Sequence, residues 1–302
     1  MPNPLKLTHN DLTLTRRTLS FQRWPVALNG LKVVQVSDLH IYEYSDPDFY
    51  SRVTDMVTAC EPDVLVMTGD AIHIGDQHVK QAEKFLSGLP AQYGRFAILG
   101  NHDYDDGHLG EAMKQCITQA GFTLLLNNSQ RVACEGFKSL TDCGADFKTD
   151  SETSLEKAGN NVQNRHKQFY IAGLEDLWYG KPNIERALTQ CPEEAFVLML
   201  AHNPLLFDPV ALAYPGRVDW MLSGHTHAGH VYIPVLGPIY QKIFRMKYRY
   251  GVFQKNATTL CVTSGVGSAA FALKKKKRGF PRFRWNTTPE VAVYTLVSAQ
   301  TY

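Results

Sequence analysis

Five short pieces of this chain hold the side chains best able to bind metals and move protons. They are Asp38-Leu39-His40, Gly69-Asp70, Gly100-Asn101-His102-Asp103, Ala201-His202-Asn203 and Gly224-His225-Thr226-His227. Together they offer two carboxylates, one amide oxygen and four imidazoles, with His102 in addition. Hard oxygen donors mixed with imidazole suit Mn²⁺, Fe or Zn²⁺ better than Ca²⁺ or Mg²⁺. Two metals about 3.5–4 Å apart need a ligand that bridges them. A carboxylate presented at a strand tip by a preceding glycine does this well, and Asp70 is the candidate. Taken singly, each piece says little, because a lone histidine after a strand is more often a hydrogen-bonded residue than a ligand. The set carries the signal, because every piece follows its own apolar run.

Those runs define the elements that must position the pieces. Leu31–Val36, Val64–Met67, Phe96–Leu99 and Leu124–Leu126 read as strands, as do Phe169–Ala172, Phe196–Leu200, Asp219–Leu222, Leu260–Thr263 and Val291–Leu296. Helix-period segments fall between them: Pro47 to Cys60, Val79–Leu86, Leu109–Ala120 and a stretch near Ile184–Leu188. Ser45 or Asp46 would cap the first helix, and Pro47 suits its first turn. Strands alternating with helices imply a layered α/β domain, and ligands in such folds sit beyond the carboxyl ends of strands. All five pieces lie there.

In this order the motifs D-x-H, G-D, G-N-H-D, H and G-H-T-H resemble the calcineurin-like metallophosphoesterase family over roughly residues 31–296. The resemblance implies a two-sheet β-sandwich flanked by helices. It implies that Asp38, His40, Asp70 and His227 hold one metal, and that Asp70, Asn101, His202 and His225 hold the other. His102 would protonate the leaving oxygen, tuned by Asp103. The cofactors implied are two divalent ions, with Mn²⁺ foremost and Fe or Zn²⁺ as alternatives. One departure bears on substrate. In the serine/threonine phosphatase branch an aspartate three residues after the bridging one orients the catalytic histidine, and here that position is His73. Diesters or anhydrides are therefore expected over monoesters. His230 follows the H-T-H-x-G turn and is a candidate substrate contact, while His9, His78, His108 and His166 are expected in solvent.

The segments His202-Asn203-Pro204, Tyr248-Arg249-Tyr250-Gly251 and Arg284…Pro289-Glu290-Val291 resemble the YaeI/YkuE-like branch. That branch includes the hydrolase that cleaves UDP-2,3-diacylglucosamine in lipid A synthesis. The charge distribution fits an encounter with a membrane. Of 31 basic residues, 12 fall between Asp219 and Glu290, a window without one acidic residue, leaving 19 basic against 29 acidic residues elsewhere. Phe271–Trp285 contains Lys274-Lys275-Lys276-Lys277-Arg278 among aromatic residues, and Ile239–Tyr250 mixes aromatic, aliphatic and basic side chains. Both suit the headgroup layer of an anionic membrane. Alternatives stay open: a solvated loop on a phosphodiesterase for nucleotides or small diesters, or a nuclease, for which the rest of the sequence offers less DNA-binding architecture.

The 302 residues, 44% apolar, suffice for one domain with a sizeable core. Segments 138–168 and 271–285 read as insertions into it. Neither a signal peptide nor an apolar membrane span is evident, and the six cysteines form no C-x-x-C pair. The expectation is a reduced, cytoplasmic protein, peripheral on the inner membrane.

Overall fold

The computed structural model describes residues 11–42, 45–73, 75–104, 109–140, 167–229, 232–233, 237–238, 247–268, 284 and 287–299. Its architecture follows from the burial of both faces of its strands. In β3 (Val64–Thr68) all five side chains are buried, as expected of a strand covered on both sides. Because side chains alternate across a strand, Val64 and Val66 enter one core while Leu65 and Met67 enter another.

Six strands form the first sheet: β1 (Thr13–Phe21), β14 (Glu290–Ser298), β2 (Lys32–Val36), β3, β4 (Arg95–Ile98) and β5 (Thr123–Leu124), in that spatial order. The second is ordered β12 (Gly251–Lys255), β13 (Thr258–Val262), β9 (Trp220–Ser223), β8 (Val197–Leu200), β7 (Gln168–Gly173) and β6 (Asn128–Ala133). Strands β2 to β5 are mutually parallel, as are β7, β8, β9 and β13. A short ladder, β10 (Tyr232–Ile233) with β11 (Gly237–Pro238), stands apart.

The sheets pack face to face. Val33, Val66 and Ile98 from the first share a core with Phe169, Leu198 and Trp220 from the second. The outer face of the first sheet is covered by α1 (Pro47–Ala59), α2 (Val79–Ser87) and α4 (Gly110–Gln119) through Phe49, Val53, Leu86, Met113 and Ile117, and the short α3 (Asn101–Tyr104) follows β4. That of the second is covered by α5 (Ile184–Leu188) and α6 (Phe207–Ala213) through Ala187, Leu188, Phe207 and Val210. The two-sheet sandwich with flanking helices is thus the observed fold. Asp46 caps α1, its carboxylate accepting the Asp48 amide at 3.0 Å, with Pro47 in the first turn.

Some elements are absent from the sequence expectation. β1 lies at a sheet edge with most of its side chains partly or fully exposed, so no apolar run announces it. β6, β12 and α6 are short or half-exposed for the same reason. Residues 141–166 of the 138–168 segment, and 269–283 with 285–286, lie outside the described residues. Cys60, Cys116, Cys134, Cys191 and Cys261 are buried free thiols, and Cys143 lies outside the described residues. Among the described residues no helix is long and apolar enough to cross a membrane.

Candidate metal centre

Parallel strands end together, so the loops after β2, β3 and β4 meet at one edge of the first sheet, and those after β8 and β9 at the same edge of the second. Backbone bonds lock the loops to one another. The Asp38 amide donates to Gly69 O at 2.9 Å, the His40 amide to Asp70 O at 3.0 Å, and the Gly224 amide to His202 O at 3.1 Å. Between the sheets the buried Gln35 amide donates to Ser223 O at 3.1 Å and to Thr68 Oγ1 at 2.8 Å.

Nine non-glycine residues among those described have φ in the left-handed region, and five of them are Asp38, His40, Asp70, His225 and His227. That conformation costs a residue with a Cβ roughly 1–2 kcal/mol, and such strain gathers at functional sites. It turns successive side chains inward at the strand tips. Two glycines make the crowding possible: a Cβ on Gly100 or Gly224 would collide with the carboxylates of Asp70 and Asp38 respectively.

The inward side chains form two groups. In one, His40 Nε2 and His227 Nε2 are 2.9 Å apart, and His227 Nε2 is 3.5 Å from Asp38 Oδ1. In the other, Asn101 Oδ1 lies 3.2 Å from His202 Nε2 and 2.9 Å from His225 Nδ1. Asp70 stands between them, its Oδ2 3.6 Å from His40 Nε2 and 3.2 Å from His202 Nε2. The sets Asp38-His40-His227, Asp38-Asp70-His202 and His40-His73-His102 each place three ligand atoms within 4.8 Å of one another. All seven candidate ligands thus converge on the edge where the sheets meet.

The donor set fits divalent cations. Two imidazole nitrogens 2.9 Å apart in a buried site need a proton or a cation between them. Burial pushes the Asp38 carboxyl up to about 6, against the pull of His202. Burial also opposes ionisation of Asp70, yet His202, His102 and His225 hold its carboxyl below the usual range. Burial lowers His202, but the Asp70 charge and hydrogen bond outweigh it and raise the imidazole to about 10. Buried carboxylate charge of this kind is what divalent cations would balance. His202 Nδ1 donates to Thr68 O at 2.7 Å, leaving Nε2 turned to the cluster.

His102 stands at the rim. Its backbone amide donates to Asp70 Oδ1 at 2.8 Å and its Nδ1 to His73 O at 2.7 Å. Its ring stacks on His73 (centroids 4.8 Å apart, planes at 23°) and meets His40 edge to face at 4.8 Å. Asp103 has a different place from the one expected. Fully buried, its carboxylate accepts the amides of Asp70 and Ala71 at 2.8 Å, Gly100 at 2.9 Å and Ile72 at 3.4 Å. It props up the loop that carries Asp70, and it is a positioning residue rather than a partner of the His102 ring. Burial and Asp70 push its carboxyl up to about 7, while the amides pull the other way.

Further expectations meet the structure. His78, expected in solvent, is buried at the start of α2. His9, His108, His166 and His230 lie outside the described residues. Arg284, grouped by sequence with the surface basic run, is wholly buried, with Nη2 3.0 Å from His227 Nδ1 and Nε donating to Gly267 O at 2.9 Å. Of the basic–aromatic stretch 239–250, residues 239–246 are outside the description, while Tyr248 is buried and both it and Lys247 bond Asp208. Sequence reasoning passed over Trp178, whose ring lies 4.5 Å from that of His225. The available signal was its place in the loop after a strand, like every other site residue.

A cluster of carboxylate, amide and imidazole ligands at the shared edge of two mixed sheets defines a metal-dependent phosphoester hydrolase. The family profile described as calcineurin-like phosphoesterase matches residues 31–229, and the chain belongs to that family. The metallophosphoesterase YkuE of Bacillus subtilis, itself uncharacterised, is 30% identical over 287 residues, covering 94% of this chain and 85% of that protein. The UDP-2,3-diacylglucosamine pyrophosphatase LpxG of Chlamydia muridarum is 28% identical over 250 residues, covering 77% and 72%. A transmembrane protein with metallophosphoesterase domain from Danio rerio is 26% identical over 249 residues, covering 82% of this chain and 51% of that protein.

Proposed function

We propose that this hydrolase is a dinuclear phosphodiesterase or pyrophosphohydrolase acting on a lipid-linked diphosphate of the UDP-2,3-diacylglucosamine kind. The observation that carries the dinuclear reading is Asp70 Oδ2, within 3.6 Å of an imidazole from each group. Asp38, His40, Asp70 and His227 would hold one ion, and Asp70, Asn101, His202 and His225 the other, with manganese as the proposed resident metal. Such ions supply Lewis acidity and a water of lowered pKa. The chain's own residues do the rest. Asp103 fixes the Asp70 loop, and His73 O orients the His102 ring by taking its Nδ1 proton in a hydrogen bond. Nε2 of His102 is then the atom from which a proton reaches the leaving oxygen.

Two observations support the choice of substrate: the imidazole at position 73 where the phosphatase pattern has an aspartate, and the likeness to a UDP-2,3-diacylglucosamine pyrophosphatase over 77% of the chain. The proposed partner surface is an anionic membrane, met through the basic run at 274–278, each cation contributing about 1 kcal/mol near such a surface. One finding favours a second reading, a phosphodiesterase for nucleotides or small diesters. Lys247, Lys255 and Arg284, three of the cations in the acid-free window, are already engaged within the fold.

The deciding experiment offers UDP-2,3-diacylglucosamine, bis-p-nitrophenyl phosphate and p-nitrophenyl phosphate to manganese-loaded protein. Fastest turnover of the lipid, with the monoester slowest, is expected. Comparable rates on the monoester and its bis ester would overturn the diester reading, and rates on small diesters above the lipid would favour the second. Liposome flotation with Lys274–Lys277 changed to Ser tests the membrane partner, since a variant that floats like the parent excludes it.

A further inference from the structure

Between β7 and α5 the chain turns through Glu175-Asp176-Leu177-Trp178-Tyr179-Gly180-Lys181. Trp178 is 56% exposed, whereas the other described tryptophans, Trp24 and Trp220, are 2% and 0% exposed. An indole left in water forgoes the burial that usually places tryptophan inside. A loose loop could carry such a residue without consequence, but this turn is fastened throughout. The buried Asp176 carboxylate accepts the amides of Trp178 at 2.7 Å and Tyr179 at 3.0 Å, and its carbonyl accepts Gly180 N at 3.0 Å. Glu175 Oε2 accepts the Lys181 amide at 2.7 Å. From β6 side, Asn127 accepts the amides of Glu175 and Asn183 and donates to Lys181 O at 2.8 Å.

The turn sets the indole edge to face against His225, with centroids 4.5 Å apart and planes at 79°. In that geometry the imidazole covers at most one face of the indole. The same imidazole holds Nδ1 2.9 Å from Asn101 Oδ1 in the second ligand group. A rigid aromatic face therefore stands one ring away from where a phosphoryl group is to be clamped. It lies beside His225, whereas the proposed acid His102 packs on His40 and His73.

We propose that Trp178 is a specificity-determining residue: its open face stacks on a planar ring, a nucleobase or aryl group, borne by the substituent that stays on the phosphoryl group. The inference rests on the phosphodiester reading above and narrows it to diesters and anhydrides with a ring in reach of the phosphorus. Stacking on an indole tolerates any base, because every base has a π face. The class is therefore set by planarity rather than by one base.

The test uses the manganese-loaded full chain with bis-p-nitrophenyl phosphate and methyl p-nitrophenyl phosphate. These share a leaving group, but only the first keeps a ring on phosphorus. Trp178→Ala is expected to raise KM for the bis ester about tenfold, equivalent to about 1.4 kcal/mol. The expected kcat stays within about twofold, the methyl ester changes far less, and Trp178→Phe recovers most of the loss. Uridine monophosphate should quench tryptophan emission in the parent and not in Trp178→Ala. Equal losses on both esters, or no recovery with Phe, would mean a merely structural residue and overturn the proposal. A loss confined to UDP-2,3-diacylglucosamine, with uridine monophosphate quenching the parent and Trp178→Ala alike, would assign the face to an acyl chain and overturn it too. If the parent cleaves neither ester, the phosphodiester reading fails, and the quenching result alone decides the role of Trp178.

Discussion

The two sheets contribute unlike chemistry to their shared edge. From the tips of β2, β3 and β4 come Asp38, His40, Asp70, Asn101 and His102, which include every oxygen donor of the cluster. From β8 and β9 come His202, His225 and His227, imidazoles only. The first sheet thus brings all of the negative charge together with the His40 imidazole, and the second brings imidazoles alone. The buried carboxylates of the first sheet need a counter-charge to be tolerated, and the imidazoles of the second help to supply it. The sandwich core and the metal centre are in this sense one event. Asp70 marks the seam, rooted in the first sheet and closest to His202 of the second.

The largest effect should follow from cutting that seam. Asp70→Asn removes the charge both groups share, and activity is expected to fall about 10³-fold or more, beyond the usual loss of one electrostatic contact. Metal content by elemental analysis should drop in both groups, whereas His202→Ala should empty only one. Equal stoichiometry in the two variants would break the picture of a shared bridge.

Next comes His102, which belongs to the first sheet but to neither ligand group. His102→Ala should keep both metals and lose ~10²-fold in turnover, the scale of a general acid. Loss of a metal in that variant would move His102 from proton donor to ligand.

Asp103 sharpens the comparison differently, because it acts through the backbone. Asp103→Asn weakens the charged acceptor of the four amides beneath the Asp70 loop. A loss of about 1–3 kcal/mol in stability is expected, read as a fall in melting temperature, with a smaller loss of turnover than Asp70→Asn. Unchanged stability with collapsed turnover would return Asp103 to the chemistry.

The smallest effect belongs to α6, on the outer face of the second sheet. Burial opposes ionisation of Asp208, but bonds from Lys247, Lys255 and Tyr248 hold its carboxyl down at about 2. A depressed carboxyl contributes stability that is present above its unfolded value near 4 and lost as pH falls through about 2. These are partly exposed pairs, so Asp208→Asn should cost no more than about 1 kcal/mol at neutral pH. Urea denaturation of parent and variant should converge toward pH 2, and a gap that persists there would assign the effect to packing.

The amino-acid sequence by itself determined the strand tips. Apolar runs buried on both faces are continuous and end abruptly, so Asp38, Asp70, Asn101, His202 and His225 were legible as residues just past an edge. The helices that cover the outer faces were legible for a like reason, a 3.6-residue period with a cap such as Asp46. What sequence could not decide is which neighbour each polar atom meets, since that depends on contacts across dozens to hundreds of residues. Asp103 follows His102, the proposed proton donor, yet its carboxylate turns under the loop to the amides of residues 70–72 and 100. Arg284 stands in a basic run, yet folding returns it to His227, 57 residues away in the chain. Tryptophan usually lies inside, yet the turn fastened beside β6 leaves Trp178 exposed against His225. Local periodicity places a residue on an element, but the partner that gives a buried charge or an exposed ring its role is chosen when the two sheets close.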